Sequence, residues 1–116
     1  MKKLLLSFIL FFSLSFNVMA GTSDIETDDK LIYTGKGLLG GIVLVLDGTN
    51  SVTVSIYDGT SSSGRALTPP MIFTTSSTTR IGAFGIDPPE SFKDGLYIDI
   101  TTAGTVSYIV YYEERP

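Results

Sequence analysis

Ile42-Val43-Leu44-Val45-Leu46-Asp47-Gly48-Thr49-Asn50-Ser51-Val52-Thr53-Val54-Ser55-Ile56-Tyr57 decides the fold class. In its second half Val52, Val54 and Ile56 alternate with Thr53, Ser55 and Tyr57, a period of two. A strand with that period buries one face and shows the other to solvent. In the first half both faces are apolar. Ile42–Leu46 is therefore expected to be a central strand covered on both sides, or one whose outer face a neighbouring chain covers. Asp47-Gly48-Thr49-Asn50 between the halves predicts a tight hairpin, since Gly and Asn accept positive φ cheaply.

The same period extends outward along the chain. Leu96, Ile98 and Ile100 alternate with Tyr97, Asp99 and Thr101. Val106, Tyr108, Val110 and Tyr112 alternate with Ser107, Ile109 and Tyr111. Weaker strands are expected at Leu31–Thr34, Met71–Thr75 and Ile81–Ile86. Asp58-Gly59, Asp94-Gly95 and Thr101–Gly104 supply turns, the last closing a final hairpin. Pro69-Pro70 and Pro88-Pro89 lack ladder donors and belong at strand starts, edges or corners. No stretch carries the pattern of an amphipathic helix. About seven to eight short strands at this spacing predict an all-β chain, an antiparallel, jelly-roll-like β-sandwich spanning residues 31–116.

The amino-terminal residues read as an address. Lys2 and Lys3 precede an apolar run from Leu4 to about Phe16, and Val18-Met19-Ala20 offers small side chains for cleavage before Gly21. That is the pattern of a secretory signal peptide over residues 1–20, with a periplasmic, extracellular or surface destination. The run is short of the roughly 20 residues that cross a bilayer, so no membrane span is expected after cleavage. Residues 21–30 hold four acids and one large apolar residue, Ile25, which predicts a flexible acidic leader. Asp24, Glu26 and Asp28 alternate there but lack the Gly and distal Glu of a calcium loop.

Composition removes whole chemistries. The 116 residues contain no Cys and no His. Imidazole- or thiol-based nucleophile systems, thiolate or imidazole zinc sites and disulfides are thereby excluded. No cofactor is expected. Carboxylates are the remaining acid–base groups, and Asp58, Asp87, Asp94 and Asp99 are the candidates for a hydrolase pair or a structural calcium. Most of these sit at turns, where Asp is favoured for backbone reasons. The chain has formal net charge −4, and loss of the two leader lysines makes it more acidic. Such a chain offers no basic run to phosphate backbones, so nucleic acid is not an expected partner.

Tyr57, Tyr97, Tyr108, Tyr111 and Tyr112, with Asp99, are the candidate contact residues. Outward Tyr beside hydroxyls and carboxylates suits a protein interface, or stacking on sugar rings. The same residues also serve ordinary cross-strand pairing.

Three stretches carry a resemblance. Val52-Thr-Val-Ser-Ile-Tyr-Asp-Gly-Thr-Ser-Ser-Ser-Gly64, Asp94-Gly-Leu-Tyr-Ile-Asp-Ile100 and Val106-Ser-Tyr-Ile-Val-Tyr111 resemble segments of small all-β virion-associated proteins of tailed bacteriophages, the head-fibre and decoration modules. The resemblance implies a jelly-roll-like sandwich that assembles or decorates without catalysis. The export signal departs from that pattern and points to an exported surface or periplasmic relative. The expected function is a non-enzymatic module acting by surface contact or self-association, with a carbohydrate-binding sandwich as the alternative.

Overall fold

Alternating apolar residues can be buried only if a second layer covers them, and here two sheets cover each other. The computed structural model describes residues 21–115 and contains nine strands. They are β1 (Gly21–Thr22), β2 (Lys30–Thr34), β3 (Gly37–Leu46), β4 (Val52–Asp58), β5 (Arg65–Ala66), β6 (Met71–Phe73), β7 (Ile81–Phe92), β8 (Gly95–Thr102) and β9 (Val106–Glu114). One antiparallel sheet, A, has the order β1-β9-β3-β7. The other, B, has the order β2-β8-β4, with β5 and β6 both paired to the far side of β4. The chain changes sheet at every connection except β4–β5 and β5–β6. That strand order is a jelly roll. The signal-peptide reading falls on residues 1–20, outside the described residues.

The core is the inward half of the alternation. Ile42, Leu44 and Leu46 of β3 and Val106, Tyr108 and Val110 of β9 face Val52, Val54 and Ile56 of β4 and Leu96 and Ile98 of β8, all nearly or fully buried. Burying a Val, Leu or Ile side chain is worth roughly 1.5–3 kcal/mol, which carries a chain with no disulfide. Leu39 and Phe92 extend the core towards one end. Leu39 and Ile42 both point inward although three positions apart, because the register of β3 against both neighbours shifts between Leu39 and Gly41. Gly41 makes this possible, since a Cβ there would sit 2.5 Å from the Phe84 carbonyl oxygen. Across the same shift β7 skips from Glu90 to Gly85, so Pro88 and Pro89 lie where no ladder donor is needed.

Two expected hairpins are arches. The turn at Asp47–Asn50 leads from β3 in sheet A to β4 in sheet B, and Thr101–Gly104 leads from β8 in B to β9 in A. Among the described strands the only hydrogen-bonded pair adjacent in sequence is β4–β5. Asp47 shapes both arches at once. Its carboxylate accepts the Thr49 and Asn50 N–H groups at 2.8 Å and the Thr105 N–H at 3.1 Å. These bonds, led by that from Asn50, hold the Asp47 carboxyl far below its ordinary value. At the opposite end Asp58 does the same for the β7–β8 arch, accepting the Lys93 N–H at 3.0 Å and the Asp94 N–H at 2.9 Å.

Residues 21–30, expected to be a flexible leader, have defined partners. β1 pairs with Tyr111 and Tyr112, the Ser23 N–H donates to the Val110 carbonyl at 2.9 Å, and Glu26 forms a bridge with Tyr108. The physical reason is the free edge of β9, whose unpaired groups the segment satisfies.

Candidate functional surface

Residues directly opposite one another in a sheet share a face, so the register defines the outer face of sheet A. Val43 stands between Ala83 and Ile109, and Val45 between Ile81 and Ser107. Val45 is 50% exposed and Ile81 70%, although Val45 lies on a strand paired on both sides. Ile25 and Tyr111 join Val43, Val45 and Ile109 around a shallow groove of about 130 Å³. A second groove of about 330 Å³ adjoins it across Tyr111, bordered by Leu38, Gly40, Pro89 and Glu113. Nothing charged lines the first groove. The two-sided apolar pattern of Ile42–Leu46 is thus half used by the core, and its outer half stays open to solvent.

The outer face of sheet B has different chemistry. Tyr57 lies opposite Tyr97, Ser55 opposite Asp99 and Thr53 opposite Thr101. Asp29 leans on this face, its carboxylate accepting the Ile100 N–H at 2.6 Å. Burial, then the charge of Asp29, then a hydrogen bond with it raise the Asp99 carboxyl above its ordinary value. Burial and the charges of Asp29, Asp99 and Asp28 raise the Tyr97 hydroxyl likewise. A raised folded-state value means that Asp99 favours folding below the ordinary carboxylate pKa and loses that contribution as pH rises through the folded value. Asp99→Asn is therefore expected to stabilise the fold at pH 7 by up to about 1 kcal/mol. The gain should vanish towards pH 4, as urea midpoints at the two pH values will show.

The candidate contact residues are not brought to one place. Tyr57, Tyr97 and Asp99 share the outer face of sheet B, whereas Tyr111, 44% exposed, is on the outer face of sheet A. Tyr108 is a correction. It is 2% exposed and belongs to the core, its hydroxyl donating to the Asp28 carbonyl oxygen, so it has no surface for a partner. Burial, with the charges of Glu26, Asp29 and Asp28, pushes that hydroxyl well above its ordinary value. Tyr112 also turns inward and is half-buried, with its ring 5.8 Å from that of Tyr33, and it borders the larger groove.

The carboxylates divide in the same way. Asp58 is buried and committed to backbone N–H groups and Arg65, with Asp94 next to it only through its N–H. Asp87 is exposed beside the prolines of β7, and Asp99 is on sheet B. Among the described residues no group of three or more carboxylates is placed to hold a metal ion. The sequence reading missed Ile25 and Ile81 as surface residues. For Ile25 a signal was present, as the one large apolar side chain in an acidic segment. No protein family and no curated protein matches this chain.

Proposed function

We propose that the chain is a non-enzymatic exported module that works by surface contact and self-association through the outer face of sheet A. One observation carries the reading: Val45 is half exposed on a strand paired on both sides, in an apolar outer patch with Val43, Ile81, Ile109 and Tyr111. Scattered surface hydrophobes are normal, but a contiguous apolar face marks a contact site. Acidic charge elsewhere on the chain keeps that contact selective by repelling copies that approach in other orientations. The setting consistent with the resemblance is an exported surface or fibre-like assembly.

Sedimentation of the exported chain at tens of micromolar is the test, and an oligomer is the expected result. Val45→Lys is expected to weaken association at least tenfold while moving the thermal midpoint by no more than a few degrees, because the side chain leaves the core untouched. A clean monomer for the parent chain would overturn the reading.

A second reading has its own support, the Tyr57–Tyr97 pair with Asp99 beside it on a hydroxyl-rich face. Rings flanked by a carboxylate and hydroxyls suit a sugar. Glycan-array binding that disappears in Tyr97→Ala with the fold intact would favour this face over sheet A. Loss in Tyr111→Ala instead would place a sugar in the grooves around Tyr111.

A further inference from the structure

We infer that Asp29 and Asp99 form an acid-operated clasp: a proton held between their carboxylates tightens the crossing of residues 21–29 between the two sheets, and its loss at neutral pH loosens that crossing. The register supplies the geometry. β2 pairs with β8 so that Lys30 stands opposite Ile98 and Leu31 opposite Tyr97. One step further along that antiparallel register Asp29 comes opposite Asp99, at the point where the chain arriving from sheet A reaches sheet B. The Asp29 carboxylate accepts the Ile100 N–H at 2.6 Å and shares a hydrogen bond with the Asp99 carboxyl. Such a bond needs one proton, since ionised carboxylates only accept. With both groups ionised, like charges face each other across the strands, which disfavours their pairing.

The crossing has few other holds. β1 pairs with Tyr111 and Tyr112, and the Ser23 N–H donates to the Val110 carbonyl. Glu26 exchanges both backbone hydrogen bonds with Tyr108, whose hydroxyl donates to the Asp28 carbonyl oxygen. All of these partners belong to sheet A. Among the described residues, Asp29 with Ile100 is the segment's one backbone-anchored tie to sheet B. Apolar burial adds little, as Ile25 is 70% exposed. A segment with so few contacts opens at low free energy, so one charge pair at its root shifts that opening. Ile25 also lines the groove of Val43, Val45 and Tyr111, and the clasp therefore sets how firmly one wall of that groove is held.

The groups around the pair leave its repulsion unrelieved. Asp28 precedes Asp29, Tyr97 and Lys30 flank the two carboxylates along their strands, Tyr57 lies across β4 opposite Tyr97, and the Tyr108 hydroxyl lies behind Asp28. Lys30 pairs with neither carboxylate among the described residues. Burial, then the charge of Asp29, then the hydrogen bond with it raise the Asp99 carboxyl above its ordinary value. The clasp thus contributes below that raised value and is lost as pH rises through it. Its sign is opposite to that of Asp47 and Asp58.

Amide hydrogen exchange of the full exported chain, followed by NMR from pH 7 to pH 4.5 and corrected for the intrinsic rate, is the test. Protection of the Glu26 N–H relative to that of core Leu44 is expected to rise about two- to fivefold on acidification. In Asp99→Asn the carboxamide donates to Asp29 at any pH, so Glu26 should show the acid level of protection already at pH 7. Asp29→Ala removes the acceptor of the Ile100 N–H and should keep Glu26 at or below the neutral level throughout. Asp24, Glu26 and Asp28 are the same in parent and variants, so the comparison isolates the pair. Carbon-13 titration of the Asp99 carboxyl in the parent chain decides the matter if a variant fails to fold, with a midpoint above the ordinary carboxylate value expected. Glu26 protection that ignores pH in the parent, a pH response that persists in Asp99→Asn, or an ordinary Asp99 midpoint would each overturn the clasp. Every readout is local to one chain, so loss of the clasp leaves the self-association reading intact, and a monomeric parent chain leaves the clasp intact.

Discussion

Asp58→Ala is expected to lower the unfolding free energy by about 2–4 kcal/mol, because it removes the anion that holds an arch together. The Lys93 and Asp94 N–H groups, which point to the Asp58 carboxylate at 3.0 and 2.9 Å, have no ladder partner of their own at that bend. Arg65 adds a longer contact at 3.4 Å and is itself more than half exposed. Its removal should therefore cost well under 1 kcal/mol. In a domain of this size the Asp58 effect corresponds to a fall in thermal midpoint of roughly 10–25 °C. Differential scanning calorimetry of Asp58→Ala beside Arg65→Ala separates the two contributions, and equal losses would show that the ion pair, not the backbone, is what matters.

The pH dependence follows from the same geometry. Burial pushes the Asp58 carboxyl up, but the N–H groups of Asp94, Lys93 and Gly95, with Arg65, outweigh it and leave the folded value below the ordinary one. A depressed folded value means stability that is fully present above the unfolded pKa, near 3.9, and is lost as pH falls through the folded value. Asp47 has the same sign. The chain should thus lose stability steeply below about pH 4, and Asp58→Asn should flatten that fall while lowering stability at neutral pH. An unchanged acid limb in Asp58→Asn would contradict this account.

Tyr108→Ala is expected to cost about 3–5 kcal/mol, the range for emptying a buried aromatic site. Tyr108 lies between the sheets among the Val and Ile side chains of the core, and its hydroxyl reaches the Asp28 carbonyl. Tyr108→Phe keeps the ring and frees that carbonyl, so a loss of about 1 kcal/mol is expected, concentrated in the segment before β2. Hydrogen exchange should show faster exchange near Glu26, whose N–H donates to the Tyr108 carbonyl at 2.9 Å. Tyr111→Ala, three positions on and on the outer face, should leave the thermal midpoint within a few degrees. If Tyr108→Ala were as mild as Tyr111→Ala, the assignment of Tyr108 to the core would fail.

Much of this fold was legible locally. The alternation at Val52–Ile56, Leu96–Ile100 and Val106–Tyr112 names the inward residues; all of them are in the core except Ile100 and Tyr112, which pack against it half-buried towards the strand ends. The two-sided run Ile42–Leu46 is a central strand as expected, but among the described residues no layer covers its outer face, where Val45 is half exposed. The candidate surface was harder to read. Tyr108 and Tyr111 differ in sequence only by which phase of the period they occupy, and that phase identifies a buried ring only once Val106 and Val110 are known to face the other sheet. The Leu39–Gly41 shift was invisible because a bulge is a relation between strands, although the Gly pair marks the spot.

What the sequence determined by itself was therefore the strongly alternating strands, most of their buried halves and the positions where the chain bends, but not the short β1 and β5. Whether a bend closes a hairpin or vaults to the opposite sheet was decided only by tertiary structure, at Asp47–Asn50 as at Thr101–Gly104. A strand's side-chain alternation is identical in both cases, whereas its partner is chosen by contacts distant in sequence, such as the Asp47 carboxylate with the Thr105 N–H. The exposed border of β7 belongs to the same class. No residue is an edge residue on its own account, since an edge exists only where the last strand of a finished sheet has no neighbour.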